Sequence, residues 1–167
     1  SCIVITMAMA KKNTTTTKAK ILVALSGGVD SAVTAALLVK AGYAVTAVFV
    51  INYEGKNAFG EDCYVHEYRD AVRVAAHLNI PILKWNFAQE YREYVLEQMF
   101  AEYEAGRTPN PDVLCNKFVK FGSWLTKARE LGFEYMATGH YAKKSEVRSP
   151  KSAVHFSLCI PKDTIKD

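Results

Sequence analysis

Short, mostly apolar runs recur along residues 20–142 and alternate with longer segments of helical character. Residues 21–25, 43–51, 80–87 and 134–138 form these runs, which are typical of strands buried on both faces of a sheet. Between and after them, segments 31–40, 63–78, 88–104 and 116–131 are predicted as helices. Two of these, 63–78 and 88–104, carry apolar residues at helical spacing. Gly42 and Gly132 follow the first and last helix, where a C-terminal cap is expected.

This alternation predicts an α/β fold: an open, mostly parallel, Rossmann-like sheet with helices on both faces and right-handed crossovers. We expect a flexible extension at residues 1–19, one domain at 20–142 and an irregular tail at 143–167. Two prolines interrupt the short apolar pieces of the tail. Those pieces are compatible with a hairpin arm or with no stable structure.

Charge is distributed unevenly along the chain. Residues 1–20 carry four lysines and no acid, and residues 143–167 carry six bases and three acids. The remaining residues, 21–142, hold 11 bases and 14 acids, so the body is mildly acidic. The net charge of +4 therefore does not by itself predict nucleic-acid binding. One local stretch, 107–129, is basic.

Several classes of protein are excluded. The longest strongly apolar run has nine residues, whereas a membrane-spanning helix needs about 20, so no contact with a membrane is predicted. The four cysteines form no Cys-x-x-Cys pair, so neither a zinc site nor a dense disulfide framework is indicated. No metal site in the protein itself is expected. The apolar first ten residues lack a charged region before them, so a cytoplasmic protein is favoured over a secreted one.

The strongest motif is Ser26-Gly27-Gly28-Val29-Asp30-Ser31, between the first strand and the first helix. Ligands of open α/β sheets bind at the carboxyl ends of strands, and a helix start offers free N–H groups to an anion. The glycines allow close approach of the backbone. Asp30 can cap the helix or help to hold a metal-bound pyrophosphate. Neither a Walker loop nor a G-x-G-x-x-G loop is present.

A second motif joins a stiff loop to a cysteine. Residues 106–112 read GRTPNPD, and Cys115-Asn116-Lys117 follow. Asn110 can bind a base edge, and Asp112 can accept a proton or orient the base. Cys115 lies at a predicted helix start, whose dipole favours a thiolate, whereas burial in an apolar site would oppose it. Lys117 and Lys120 add positive potential nearby.

These motifs resemble two groups of known proteins. The 26–31 loop resembles the PP-loop of the ATP pyrophosphatases. Together with 106–117 and Ala137-Thr138-Gly139-His140-Tyr141, it resembles the tRNA-specific 2-thiouridylases of the MnmA type over about residues 20–142. The resemblance implies that ATP, with Mg²⁺, adenylates the C2 oxygen of the wobble uridine of tRNA. A persulfide on a second cysteine, charged by a sulfur donor protein, then delivers sulfur, and the cysteine at position 115 completes the transfer.

The resemblance also assigns roles to residues. Cys115 and Asp112 would be catalytic, and Asn110, Pro111, Asp112 and Lys117 would bind the target base. The nucleotide would contact Ala24, Leu25, Ser26, Gly27, Gly28, Val29, Asp30, Ser31, Val50 and Gly139. The second cysteine of the family has no counterpart here, because Cys159 lacks its sequence context. The chain is therefore expected to be a truncated, N-terminal catalytic part.

Two other functions remain open at this point. The chain could be a PP-loop ATP pyrophosphatase that acts on another substrate, although the cysteine after Pro-Asn-Pro-Asp argues against an ammonia-using relative. It could also be a nucleotide-binding fragment without turnover, which the missing second cysteine would favour.

Overall fold

The computed structural model describes residues 5–8, 18–140, 143–147 and 155–159. A five-stranded sheet has the spatial order β1-β5-β2-β3-β4. Its strands are β1 (Ile5–Ala8), β2 (Lys20–Ala24), β3 (Ala44–Ile51), β4 (Ile82–Asn86) and β5 (Tyr135–Thr138). Strands β5, β2, β3 and β4 are mutually parallel. The predicted α/β fold with a mostly parallel sheet is confirmed.

Four helical segments connect the parallel strands. Helices α1 (Val29–Lys40) and α2 (Val65–His77) are regular. Helix α3 covers 88–104 and contains a π-helical turn, Arg92–Leu96, between Ala88–Tyr91 and Glu97–Glu104. Helix α4 covers 111–130: Pro111–Leu114 is followed by a π-helical stretch, Cys115–Trp124, and by Leu125–Glu130. No helix in the described part of the chain is both long enough and apolar enough to cross a bilayer.

Alternation along the strands feeds two hydrophobic cores, one on each face of the sheet. On one face, Val23 and Phe49 pack with side chains of α1 and α2 such as Ala35 and Ala71. On the other face, Leu22, Val48 and Met136 pack with side chains of α3 and α4. The second core contains both tryptophans, Trp85 and Trp124, each 6% exposed. Helices therefore cover both faces, and the carboxyl ends of the parallel strands open between α1 and α4.

Both ends of the chain contribute strands. Strand β1 pairs antiparallel with β5 and covers its free edge, so part of the segment expected to be a flexible extension is paired. Strands β6 (Lys143–Val147) and β7 (His155–Cys159) form an antiparallel pair. Of the two outcomes left open for the tail, the structure shows the paired strands. The rest of the two terminal segments lies outside the described residues.

Position 27 requires a glycine for two reasons, its left-handed backbone conformation and its close contact with α2. Its φ is +83°, and a Cβ placed on it would lie 2.6 Å from the backbone oxygen of Glu67 in α2. Replacing Gly27 by alanine is expected to lower the free energy of unfolding by about 2–5 kcal/mol, from left-handed strain and overpacking together. Gly42, with φ +85° and no atom within 4 Å of the added Cβ, is the matched control. Thermal unfolding should show a clearly larger loss for Gly27→Ala than for Gly42→Ala; equal losses would contradict the contact with α2.

Candidate active site

The glycine loop after β2 is held in place by hydrogen bonds of the Ser26 and Ser31 hydroxyls. The Ser31 hydroxyl donates to the Gly28 carbonyl over 3.0 Å and lies 3.2 Å from the Ser26 hydroxyl. The Ser31 hydroxyl also accepts from the Ser26 backbone N–H, and the Ser26 hydroxyl accepts from the Gly28 N–H. Gly28 is the N-cap of α1 and supplies no side-chain hydrogen bond, so Asp30 is not the cap. The positive end of the α1 dipole lies at this loop, where it favours an anion.

Gly139 brings the end of β5 against this loop. A Cβ at position 139 would lie 2.8 Å from the Ser31 nitrogen and 3.0 Å from the Asp30 carbonyl carbon. Those neighbours are backbone atoms, which cannot rotate away. A glycine is therefore required for β5 and the start of α1 to meet, and the two motifs that are far apart in the sequence become neighbours.

A cleft of about 340 Å³ opens where these elements meet. Nine of the ten residues predicted to contact a nucleotide line it, the exception being Gly27, which faces α2 instead. Six further residues complete the lining: Val48, Asn52, Lys120, Trp124, Thr138 and His140. The predicted residues therefore form one site at the carboxyl edge of the sheet, as expected for this class of fold.

Helix α4 forms the side of the cleft opposite the glycine loop. In its π-helical stretch, hydrogen bonds run from residue i to i+5, so that residues four or five positions apart share a face. This arrangement places Lys120 and Trp124 in the lining of the cleft and Cys115 in the same hydrophobic core as Trp124. Wide turns of this kind are frequent at functional sites.

Two buried polar atoms of the cleft residues have no hydrogen-bond partner among the described residues: Asn52 Oδ1 and Trp124 Nε1. An unsatisfied buried polar group costs about 1–3 kcal/mol. A ligand that carries both donors and acceptors could recover part of this cost after a small adjustment of the two side chains. A nucleotide has such groups on its base and ribose, so the residues present fit one.

The structure corrects the expectation for the Cys115 thiol. Helix α4 begins at Pro111, so Cys115 lies one turn inside the helix and not at its start. It is 7% exposed, and burial raises the pKa of Cys115 above its ordinary value. Lys120 lowers this pKa and Asp112 raises it, both by less than burial does. Desolvation therefore outweighs the attraction of Lys120, and the neutral thiol is favoured.

The residues predicted to bind the target base lie together at the start of α4, outside the lining of the cleft. The Asn110 side-chain oxygen accepts from the Val113 N–H over 3.2 Å and caps the helix. Pro111 occupies the first turn, where its missing N–H costs nothing. Asp112 and Lys117 are exposed. Whether these residues meet a base stays a prediction.

His140 connects β5 to α4. Its Nδ1 lies 2.6 Å from the Thr138 hydroxyl, and its Nε2 lies 3.2 Å from Asn116 Oδ1. Burial, together with the nearby Lys120, lowers the pKa of His140. A neutral ring with its proton on Nε2 satisfies both contacts, since Nε2–H donates to Asn116 and Nδ1 accepts from Thr138. His140 therefore fixes the helix beside the cleft.

Sequence reasoning did not assign four lining residues, Val48, Asn52, Trp124 and Thr138, to the site. Asn52 carried a usable signal, because a polar residue directly after a buried strand lies at the ligand-binding edge. Trp124 is buried in the core and lines the cleft as well. Over the described residues, no group of three or more His, Cys, Asp or Glu side chains is placed to hold a metal ion.

Several known proteins are similar to this chain. The tRNA-specific 2-thiouridylase MnmA of Streptococcus thermophilus is 46% identical over 143 residues, which are 86% of this chain and 38% of that protein. MnmA of Streptococcus mutans matches with the same identity and coverage. The structure of NMN synthetase from Francisella tularensis matches 71% of this chain and 43% of its own chain, with 21% identity and a TM-score of 0.43.

The chain thus spans 38% of the length of the curated relatives that it matches. Residues 19–167 match the family described as tRNA methyl transferase HUP domain. This match and the glycine-loop cleft together indicate nucleotide binding. The chain belongs to the family of the tRNA methyl transferase HUP domain.

Proposed function

We propose that this chain is the ATP-activating part of a tRNA uridine 2-sulfurtransferase. One observation carries the proposal: a single cleft unites the 26–31 loop with Gly139 and His140. The helix on its other side carries Asn110 at its N-cap, Asp112 in its first turn and Cys115 one turn further in. The similarity to tRNA-specific 2-thiouridylases covers 86% of the chain and supports the same function. A tRNA-modifying enzyme of this kind would act in the cytoplasm.

The cleft suits ATP in a defined orientation. The phosphates would lie over the loop and the start of α1, where the helix dipole attracts an anion. The adenosine would lie towards Val50 at the end of β3 and Gly139 at the end of β5, both of which line the cleft. Mg²⁺, when bound with ATP, would neutralise part of the phosphate charge, with Asp30 as the nearby carboxylate.

In the proposed activation step, the C2 oxygen of the wobble uridine of tRNA attacks the α-phosphorus of ATP. A bond from oxygen to phosphorus forms, and the bond to pyrophosphate breaks. The oxygen at C2 then leaves as part of AMP, which is a far better leaving group than oxide. Asp112, exposed at the start of α4, would orient the base or accept its proton.

Sulfur transfer would follow in two balanced steps. A persulfide sulfur, loaded on a second cysteine by a sulfur donor protein, attacks C2, and AMP leaves with the former C2 oxygen. The Cys115 thiolate then attacks the sulfur of the second cysteine. This releases the thiolated base and leaves a disulfide between the two cysteines. The second cysteine would belong to the part of the relatives that this chain does not span.

Release of pyrophosphate tests the proposal. We expect release from ATP when tRNA with uridine at the wobble position is added, and little release with a matched tRNA that carries cytidine there. The assay is run with this chain and with a fusion that adds the remaining length of the S. thermophilus relative. Release that is independent of tRNA, or that is equal with the cytidine tRNA, would point to another substrate. No release from the fusion would favour a binding fragment without turnover.

A further inference from the structure

We propose that one cation, the Lys120 ammonium, serves both halves of the site: it binds the phosphate of the nucleotide and it stabilises the Cys115 thiolate. The inference rests on the proposed function, since it takes the cleft to hold an adenine nucleotide. It goes further by coupling the nucleotide to the thiol. The presence or absence of a phosphate in the cleft then determines when Cys115 can react.

Lys120 lies in the wall of the cleft. Lys120 is half-buried and is the only lysine or arginine in the lining of the cleft, as far as the described residues show. Within the described part of the chain, Asp30 is the only carboxylate in the same lining. A triphosphate or a monophosphate in the cleft therefore needs a positive charge, and Lys120 is the side chain placed to supply it. Lysine binds phosphate as a compact point charge.

The helix that carries Lys120 also carries Cys115. Lys120 follows Cys115 by five positions within the π-helical stretch Cys115–Trp124, so the wide turns place the two on one face. In a regular α-helix, the neighbours on that face would be three or four positions away. The π-helical geometry thus turns the same lysine towards both the cleft and the thiol.

Several titratable groups surround the Cys115 thiol. Cys115 interacts electrostatically with Tyr91 from α3 and with Asp112 and Lys120 from α4. Among these three groups, only Lys120 favours the thiolate, and it lowers the pKa of Cys115 against the larger effect of burial. The neighbouring His140 has a lowered pKa and does not add a cation at neutral pH.

The shared charge sets an order of events. While a phosphate is paired with Lys120, the negative charge of that phosphate opposes ionisation of Cys115 and keeps it as a thiol. When AMP leaves, Lys120 again favours the thiolate. Ionisation of Cys115 is therefore linked to departure of AMP, and by reciprocity a thiolate weakens AMP binding by the same factor.

Substitution of Lys120 by methionine tests both parts, because methionine keeps the apolar stem without the charge. We expect ATP and AMP to bind this chain with at least about tenfold lower affinity, as for loss of a charge-assisted hydrogen bond. We also expect the pH midpoint for alkylation of Cys115 by iodoacetamide, followed by mass spectrometry of the peptide that contains Cys115, to move upwards. Lys120→Arg should restore much of both properties.

Arg129→Met is the matched control, since Arg129 is exposed further along the same helix. It should change neither quantity. In the parent chain, AMP should move the alkylation midpoint to higher pH. Simple shielding of the thiol by AMP would instead lower the plateau rate and leave the midpoint in place.

Failure of the proposed function and failure of the role of Lys120 give different experimental outcomes. If the parent chain binds neither ATP nor AMP, the proposed function fails. If the parent chain binds nucleotide and Lys120→Met binds it equally well, or keeps the same alkylation midpoint, the shared role of Lys120 is wrong. Circular dichroism and thermal unfolding of Lys120→Arg and Lys120→Gln show whether a loss comes from unfolding, and Lys120→Gln should reproduce both effects in a folded protein.

Discussion

Replacing Cys115 by serine is expected to abolish thiolation of tRNA while release of pyrophosphate from ATP continues. The activation step involves only the uridine oxygen and the α-phosphorus, so no thiol takes part in it. The later step needs a sulfur nucleophile that can form a disulfide, and a serine hydroxyl cannot. The experiment uses the fusion with the remaining length of the S. thermophilus relative, and nucleoside mass spectrometry measures the thiolated uridine.

Cys63, which is exposed, supplies the control: Cys63→Ser should thiolate normally. The pH dependence has a definite sign. Because burial raises the pKa of Cys115, the thiolate fraction is small at neutral pH and grows as the pH rises towards that pKa. Thiolation limited by this step should therefore become faster with rising pH. Thiolation by the Cys115→Ser fusion would show that Cys115 is structural and that the mechanism is wrong.

Replacing Asp30 by alanine is expected to abolish release of pyrophosphate. Asp30 lies in the first turn of α1 and lines the cleft where the phosphates would bind. The loop itself is held by Ser26, Gly28 and Ser31, so removal of the carboxylate should leave the fold intact. Unfolding and pyrophosphate release are measured on the same sample.

Asp70→Ala is the companion variant, since Asp70 is an exposed carboxylate of α2 that pairs with Arg73 at 3.0 Å. It should release pyrophosphate at the parent rate. If Asp30→Ala also turns over normally, the nucleotide does not depend on the start of α1 and the assignment of the loop fails.

The parallel strands were predictable because a strand that is buried on both faces appears in the sequence as a short, continuous apolar run. The apolar runs of β2, β3, β4 and β5 and the helical spacing within α2 and α3 appear where the pattern placed them. The start of α4 was predicted five residues too late. Asn110 followed by Pro111 is a normal helix start, with a capping side chain and a proline in the first turn. From the sequence alone, the two prolines of this segment predict a stiff loop instead.

The glycine loop and the residues at the ends of β3 and β5 were also predictable, because ligand sites of parallel sheets lie at those ends. Three features were not. The π-helical stretch of α4 depends on packing between the helix and the core, which periodicity does not encode. Burial raises the pKa of Cys115, whereas a position at a helix start would lower it. The antiparallel strand Ile5–Ala8 depends on a free edge of β5, which only the assembled sheet reveals.

The close contacts around Gly27 and Gly139 decide which side of the cleft can adjust when a ligand enters. The backbone at Gly139, directly after β5, lies against the backbone of α1 at Ser31, and a side chain at Gly27 would meet the backbone of α2 at Glu67. No rotamer change can relieve such contacts, so the loop, β5 and the starts of α1 and α2 behave as one rigid body. Adjustment to a ligand is thereby left to the other side, where the half-buried Lys120 side chain can change its rotamer.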